Sequence, residues 1–437
     1  MPTETTTSSP TRRPDRTENR TASPPPAASE TAETSETETT EIPLPVLQTE
    51  DETPFSSGPD STAPSSSTAP PSERLQVELQ SHGLRLATHE AGAASRQGGA
   101  GPSDHKAVSV DGSTIMVPVH TAQSDESPYY ATAPNSQGAA TLYRDDEQVG
   151  TVSFPDPPQF YRHETSDGVP MWKVAKLHSH NVLATTVLQR CIRYDDRETA
   201  CQFCAIGQSL EAERTIAYKK PHHLAEVAEV AVEHDGVDQF VMTTGTPNTE
   251  DRGCKLLHES AAAVQDAVDL GIQVQCEPPS DFGWFPKLRE AGADAIGMHL
   301  EAVQPEVRKE IMPGKAQVPV DYYMDAFEAA VEVFGTGNVS TYILAGLGDS
   351  KEALISRSQA LIDIGVYPFI VPFVPITGTP LEDHDPPGDA FMEAVLAPVG
   401  QMLVEAGMTS DTLDAGCAKC GACSTLRSFE EKARQNQ

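Results

Sequence analysis

From about Lys176 onward, short β-branched apolar runs alternate with longer stretches that can each present one apolar stripe. Val182–Leu188, Gln239–Thr243, Gln273–Cys276, Ala295–His299, Val339–Leu344 and Phe369–Phe373 read as strands bounded by turn residues. His222–His234, Leu256–Leu270, Trp284–Ala291, Tyr322–Phe334 and Leu354–Ile364 read as the helices between them. Strands and helices in strict alternation predict an α/β protein with a parallel sheet of six βα units. That is a partial (β/α)6 TIM-like barrel, two units short of closure, in which reactive groups are expected at the C-terminal ends of the strands.

The pattern upstream is different. Leu75, Val77, Leu79, Leu84 and Leu86 suit a short amphipathic element, and Gln97 to Pro102 is a Gly-rich stretch that reads as a loop, because a Pro and polar residues follow it where a phosphate-cradling loop would open a helix. Val108, Val110, Ile115, Val117 and Val119 flank Asp111-Gly112, and Leu142, Val149, Val152 and Phe154 flank Asp145-Asp146. Both patterns predict β-hairpins. The expected division is a Ser/Thr/Pro/Glu-rich disordered tail over 1–72, a small β-rich region over 73–175, the barrel over 176–406 and a Cys-rich extension over 407–437.

Charge narrows the partners. The 437 residues hold 64 acidic and 31 basic side chains, a formal net charge of −33, and residues 1–75 hold 13 acidic and 5 basic of these, so most of the excess lies in the region expected to fold. An acidic surface repels nucleic acid and anionic membranes and keeps a protein soluble at high salt. We therefore expect a halophilic, cytoplasmic protein with no nucleic acid or membrane partner; neither a signal-peptide pattern nor a membrane-length apolar run is present. In a reducing compartment the eight cysteines point to metal or redox chemistry rather than disulfides.

Six of these cysteines form two groups of three. Cys191, Cys201 and Cys204 fall in one loop just after the first barrel strand, with nine and then two residues between them. Three thiolates in a short loop can hold three irons of a cubane and leave the fourth iron open. A closed structural zinc site would need a fourth ligand, for which His178 and His180 are the near candidates. Cys417, Cys420 and Cys423 have two residues between each pair, the spacing of a ferredoxin-type run, but the position of the next ferredoxin cysteine holds Arg427. An auxiliary iron–sulfur cluster there would be completed by Cys276, Cys254 or a substrate atom; a zinc knuckle or metal-free redox thiols remain open alternatives.

The first cysteine loop, with Phe203 just before Cys204, resembles the cluster loop of the radical S-adenosylmethionine (SAM) superfamily, although the usual spacing there is three residues and then two. By that resemblance Cys191, Cys201 and Cys204 ligate a [4Fe–4S] cluster that cleaves SAM. Further implications follow the superfamily's order along the chain. Thr244, Gly245 and Thr246 would bind the methionine amino group, Glu301 the ribose and Arg308 the carboxylate, as in the similar segments of biotin synthase and lipoyl synthase. Gly346, Gly348 and Asp349 would lie near the adenosine and Pro372 beside the adenine. From Glu78-Leu79-Gln80 onward the chain looks most like the radical SAM proteins of nitrilase-associated gene clusters, including Cys276-Glu277-Pro278-Pro279. The implied activity is hydrogen abstraction from an unidentified small molecule, with a reductase, ferredoxin or flavodoxin as electron donor. Glu277 and His299 are candidates to hold substrate, and no residue is assigned as catalytic. The competing classes are a non-catalytic iron–sulfur carrier or scaffold and a zinc-containing aldolase-like barrel. Because the second cysteine group follows the last barrel helix, it is expected outside the six βα units.

Overall fold

The computed structural model describes residues 72–87, 105–119 and 121–436, all within one unit that spans 64–437. The tail before residue 72 and the Gly-rich stretch 97–102 lie outside the described residues. Thirteen strands occur among these: β1 (Arg85–Leu86), β2 (His105–Val110), β3 (Ser113–Pro118), β4 (Tyr129–Ala131), β5 (Ala139–Arg144), β6 (Glu147–Ser153), β7 (Lys176–His178), β8 (Val182–Thr186), β9 (Gln239–Thr243), β10 (Gly271–Gln275), β11 (Ala295–Gly297), β12 (Val339–Ala345) and β13 (Val366–Pro372).

Strands β8 to β13 lie side by side in sequence order and are all parallel, which is the expected partial (β/α)6 barrel. Every residue of β8 is buried, as a strand covered on both faces requires. The covering helices form for local reasons. Pro221 and Pro305 open theirs at positions where the missing N–H costs nothing, and Ser350 accepts from Ala353 N at 3.1 Å to cap Lys351–Asp363. The helix Val320–Phe334 buries Tyr323, Ala326, Phe327, Ala330 and Phe334, one stripe at helical spacing. Each large apolar side chain so buried contributes roughly 1.5–3 kcal/mol relative to exposure.

One barrel element has no counterpart in the expectation. Strand β7 adds antiparallel to β8 at the edge, pairing His178 with Val182. It is three residues long, too short to announce itself by periodicity.

The β-rich region is a second sheet in the order β1-β4-β5-β6-β2-β3. Its β2–β3 turn places Asp111 and Gly112 both at positive φ, +50° and +82°, which suits a tight hairpin with twisted strands. The helix Ser72–His82 packs Leu75 and Leu79 into this small core, while Val77, Ala107 and Met116 join the core of the barrel. The two regions therefore share an apolar boundary. No helix among the described residues is long and apolar enough to cross a membrane.

Candidate active site

The loop that leaves β8 carries Cys191, Cys201 and Cys204 and is pinned at three points. Ile192 N donates to Thr246 O at 2.9 Å, Gln202 N to Ile311 O at 2.9 Å, and Gly314 N to Thr199 O at 3.1 Å. Two glycines permit this docking: a Cβ on Gly245 would sit 2.1 Å from Arg190 O, and one on Gly314 would sit 2.4 Å from Thr199 O. Between the pins, Asp196 accepts from Glu198 N and its carbonyl from Thr199 N, folding the long Cys191–Cys201 interval into a compact turn. All three thiols consequently face one cavity of about 350 Å³ at the C-terminal ends of the barrel strands.

Thr244, Gly245, Thr246, Glu301 and Pro372 line the same cavity, together with Arg193, Gln275, Cys276, Glu277, His299, Lys315 and Tyr342. Two acid–base pairs dominate it. Arg193 donates to Glu277 Oε1, which also accepts from Thr246 Oγ1 at 2.6 Å, while Glu277 Oε2 is buried with no hydrogen-bond partner among the described residues. Lys315 Nζ lies 2.7 Å from Glu301 Oε2. Glu301 has φ +63°, a left-handed conformation that costs a non-glycine residue about 1 kcal/mol or more. The strain persists because Glu301 N donates to Tyr342 O and Glu301 O accepts from Leu344 N, which clamp it against β12.

Burial sets the protonation of the neighbours. It pushes the Cys204 thiol up to about 12 and Cys201 well above the usual thiol range, so these sulfurs ionise only beside a cation such as cluster iron. Burial, helped by Lys315, lowers His299 to about 3, which keeps it neutral; its Nδ1 accepts from Tyr342 N at 3.2 Å, so the proton sits on Nε2.

Four residues expected around the cofactor are placed elsewhere. Arg308 is 1% exposed, stacks on Tyr323 with its guanidinium 5.0 Å from the ring centre, and donates to the carbonyls of Leu300, Ala302 and Val318. Its charge is spent on backbone rather than on the cavity, and Arg193 and Lys315 are the cations that line the wall. Asp349 accepts from Val303 N at 3.0 Å and Gln304 N at 2.8 Å, bracing the turn after β11. Gly346 and Gly348 take φ +107° and +120° in the turn before it, with Gly346 set against Pro387, and none of these three lines the cavity.

The second cysteine group is not outside the barrel units. Asp414 to Gly416 dock at the N-terminal ends of the strands: Asp414 N donates to Asn338 Oδ1 at 3.0 Å, and Gly416 N to Gln239 Oε1 at 2.9 Å. The chain then turns into the barrel. Cys417 N donates to Gln273 Oε1 at 3.0 Å, and Cys417, Cys420 and Cys423 line a second cavity of about 170 Å³ with His178, Val182, Val241 and Ala184. Thr243, Gln275, His299, Glu301, Tyr342, Leu344 and Cys423 belong to the walls of both cavities, so the two cysteine groups approach one barrel interior from opposite ends. Met116 N and Gln80 Nε2 both donate to Ala422 O, at 2.7 and 3.1 Å, which ties the β-rich region to this segment.

His178, considered above for the first cysteine group, lies instead 3.3 Å from Cys423 Sγ; His180 is exposed beside Ser179. Cys254 and Cys276 face each other at 3.7 Å, and neither lines the second cavity.

The donor sets fit clusters better than single ions. Among the described residues, Asp167, His222 and His223 are the one set of three such side chains with ligand atoms all within 4.8 Å of one another. Neither cysteine triplet brings all three sulfurs within 4.8 Å of one another, whereas thiolates sharing one zinc ion sit about 3.8 Å apart for Zn–S bonds of about 2.3 Å and one thiolate per iron needs a wider spread. The Asp167 set is itself a satisfied network: His223 Nδ1 accepts from Lys220 N, so Nε2 carries the proton it donates to Asp167, and Lys220 Nζ lies 3.0 Å from the same carboxylate.

Residues 198–356 match the family model of the Radical SAM superfamily, and the chain carries a domain of that superfamily. It is 33% identical over 129 residues to the bacteriochlorophyllide c C-7(1)-hydroxylase of Chlorobaculum limnaeum, covering 29% of this chain and 32% of the relative. It is 27% identical over 237 residues to the probable dual-specificity RNA methyltransferase RlmN of Moorella thermoacetica, covering 52% of this chain and 64% of the relative. Thus the chain spans less than two thirds of the length of either. Among solved structures, the [FeFe]-hydrogenase maturase HydG is similar over 51% of this chain and 49% of its own, with 16% identity and a TM-score of 0.40.

Proposed function

We propose that the chain is a radical SAM enzyme in which Cys191, Cys201 and Cys204 hold a [4Fe–4S] cluster, with SAM bound on its open iron and a small substrate deeper in the barrel. The observation that carries this reading is the convergence of the three thiols with Thr244 to Thr246, Glu277 and Glu301 on one cavity of about 350 Å³. When bound, cluster and SAM supply one-electron cleavage of the sulfur–C5′ bond and a 5′-deoxyadenosyl radical for hydrogen abstraction.

The chain's own residues bind, orient and shield. The unpartnered Glu277 Oε2 suits the α-ammonium group of SAM, while Arg193 and Thr246 hold the other carboxylate oxygen and fix its direction. Lys315 orients Glu301 toward ribose hydroxyls, and the backbone near Pro372 meets the adenine. Phe203, Ile206, Leu344, Val371 and Phe373 give the cavity dry walls, which limits side reactions of a radical. His299, neutral with Nε2–H, is a hydrogen-bond donor for substrate at the junction of the two cavities.

Cys417, Cys420 and Cys423 hold an auxiliary iron–sulfur cluster on the far side of the substrate space. The net charge of −33 favours a neutral or cationic small molecule over a nucleic acid, and the resemblance to proteins of nitrilase-associated gene clusters is consistent with a small metabolite. A soluble ferredoxin, flavodoxin or reductase supplies the electron. The test is anaerobic incubation of reconstituted protein with SAM, reductant and deuterium-labelled cell extract. Labelled 5′-deoxyadenosine is expected from small-molecule fractions; label appearing only with the RNA fraction would assign a different substrate class.

A further inference from the structure

Two of the eight cysteines belong to neither triplet, and they meet. Cys254 Sγ lies 3.7 Å from Cys276 Sγ, across 22 positions of sequence. We propose that Cys254 and Cys276 form a redox modification site, a dithiol that closes to a reversible disulfide and thereby weakens SAM binding. The second half of this proposal rests on reading the first cavity as the SAM site.

The pair joins the two loops that carry the expected SAM contacts. Cys276 directly follows β10 and directly precedes Glu277. Gln273 and Gln275 of β10 reach Cys417 in the barrel interior, and Cys276, one position further on, meets the first residue of the covering helix Cys254–Ala267. Gly253, just before that helix, takes φ +96° and packs so closely that a Cβ there would sit 2.4 Å from Thr244 Cγ2. The loops are also stitched together: Arg252 Nη1 donates to Pro278 O at 2.7 Å and Ser280 N to Glu250 O at 2.9 Å. Across the same junction Thr246 Oγ1 donates to Glu277 Oε1 at 2.6 Å.

The two sulfurs have different access. Cys276 lines the cavity of about 350 Å³ and is 7% exposed, whereas Cys254 is fully buried. A small disulfide entering the cavity therefore meets Cys276 first. Cys276 Sγ attacks one of its sulfurs and the other leaves as a thiol with the Cys276 proton. Cys254 Sγ then displaces the attached half, which leaves as a second thiol with the Cys254 proton. Two protein thiols are oxidised to one disulfide, and one small disulfide is reduced to two thiols. Closure brings the sulfurs from 3.7 Å to about 2.05 Å, and both side chains are packed in the core, so the backbone must follow in part. Movement of the helix start presses Gly253 on Thr244; movement of Cys276 carries Glu277 away from Thr246. By linkage, bound SAM in turn disfavours the disulfide.

The experiment equilibrates the cluster-loaded full chain anaerobically with oxidised and reduced glutathione at a series of ratios. Free thiols are then alkylated, peptides are mapped by mass spectrometry, iron is counted, and SAM affinity is measured by calorimetry. One Cys254–Cys276 disulfide is expected, reversed by excess reduced glutathione, with iron retained and the SAM dissociation constant raised about tenfold. Cys254→Ala should bind SAM equally at every ratio, and SAM added beforehand should shift disulfide formation in the wild-type chain to more oxidising ratios. Two alkylated thiols at every ratio, or a disulfide that leaves SAM affinity unchanged, overturns the proposal. Equal loss of iron and SAM binding in Cys254→Ala also overturns it, by assigning the effect to the clusters. Absence of SAM binding by the reduced, cluster-loaded chain overturns the SAM-site reading instead, and the peptide map, obtained without SAM, tells the two failures apart.

Discussion

At the scale of single residues, cysteines were legible because few other roles suit three thiols gathered within a short stretch of a reducing-compartment chain. Cations were not. Arg308 and Lys315 are both in the segment after β11, yet one ends on three carbonyls and against the Tyr323 ring and the other on Glu301, contacts that only the folded chain brings together. Glu277 was visible only as a strand-end carboxylate; its unpartnered Oε2 is a property of the folded cavity. This gives a paired expectation. Glu277→Gln should raise the SAM dissociation constant roughly 10- to 100-fold, the equivalent of one charge-assisted hydrogen bond. Arg308→Ala should leave SAM affinity of the folded fraction unchanged while destabilising the chain by about 1–3 kcal/mol through unpaired carbonyls. Calorimetric titration beside thermal unfolding separates the two; weakened SAM binding in Arg308→Ala without loss of stability would restore Arg308 as the carboxylate contact.

At the scale of elements, the six parallel strands and five of the helices could be read from apolar periodicity, because a buried parallel strand and an amphipathic helix leave different repeats. Strand β7 and the docking of Asp414 to Cys423 could not. The first is too short, and the second depends on contacts more than 140 positions apart, such as Gln275 with Cys417. The nine-residue interval in the first cysteine loop is likewise uninformative until Asp196 is seen to fold it. Close approach at Gly245 makes that loop testable as a unit. Gly245→Ala would drive a methyl group into Arg190 O. We expect loss of iron and of visible absorbance with the far-ultraviolet circular dichroism retained; full cluster loading would show that the loop does not need this contact.

At the scale of the molecule, one barrel interior is approached by three thiols from the strand C-termini and by three from the N-termini, with Thr243, His299 and Tyr342 between them. On the proposed reading the two groups have separate jobs. Changing Cys417, Cys420 and Cys423 together to Ala should remove about four irons and lower the thermal midpoint, since these side chains fill the barrel floor, yet leave uncoupled SAM cleavage intact. Unchanged iron in that variant would end the auxiliary-cluster reading, and a structural zinc site predicts that outcome.

The central claim is that the first group alone makes the SAM-cleaving centre, and Cys191, the most distant of its members in sequence, tests it most directly. The measurement is the amount of 5′-deoxyadenosine formed per chain when reduced, anaerobically reconstituted protein meets SAM. Wild-type protein is expected to form it and Cys191→Ala to form none, because the loss of one thiolate removes an iron ligand from the site. Full 5′-deoxyadenosine yield from Cys191→Ala would contradict the account.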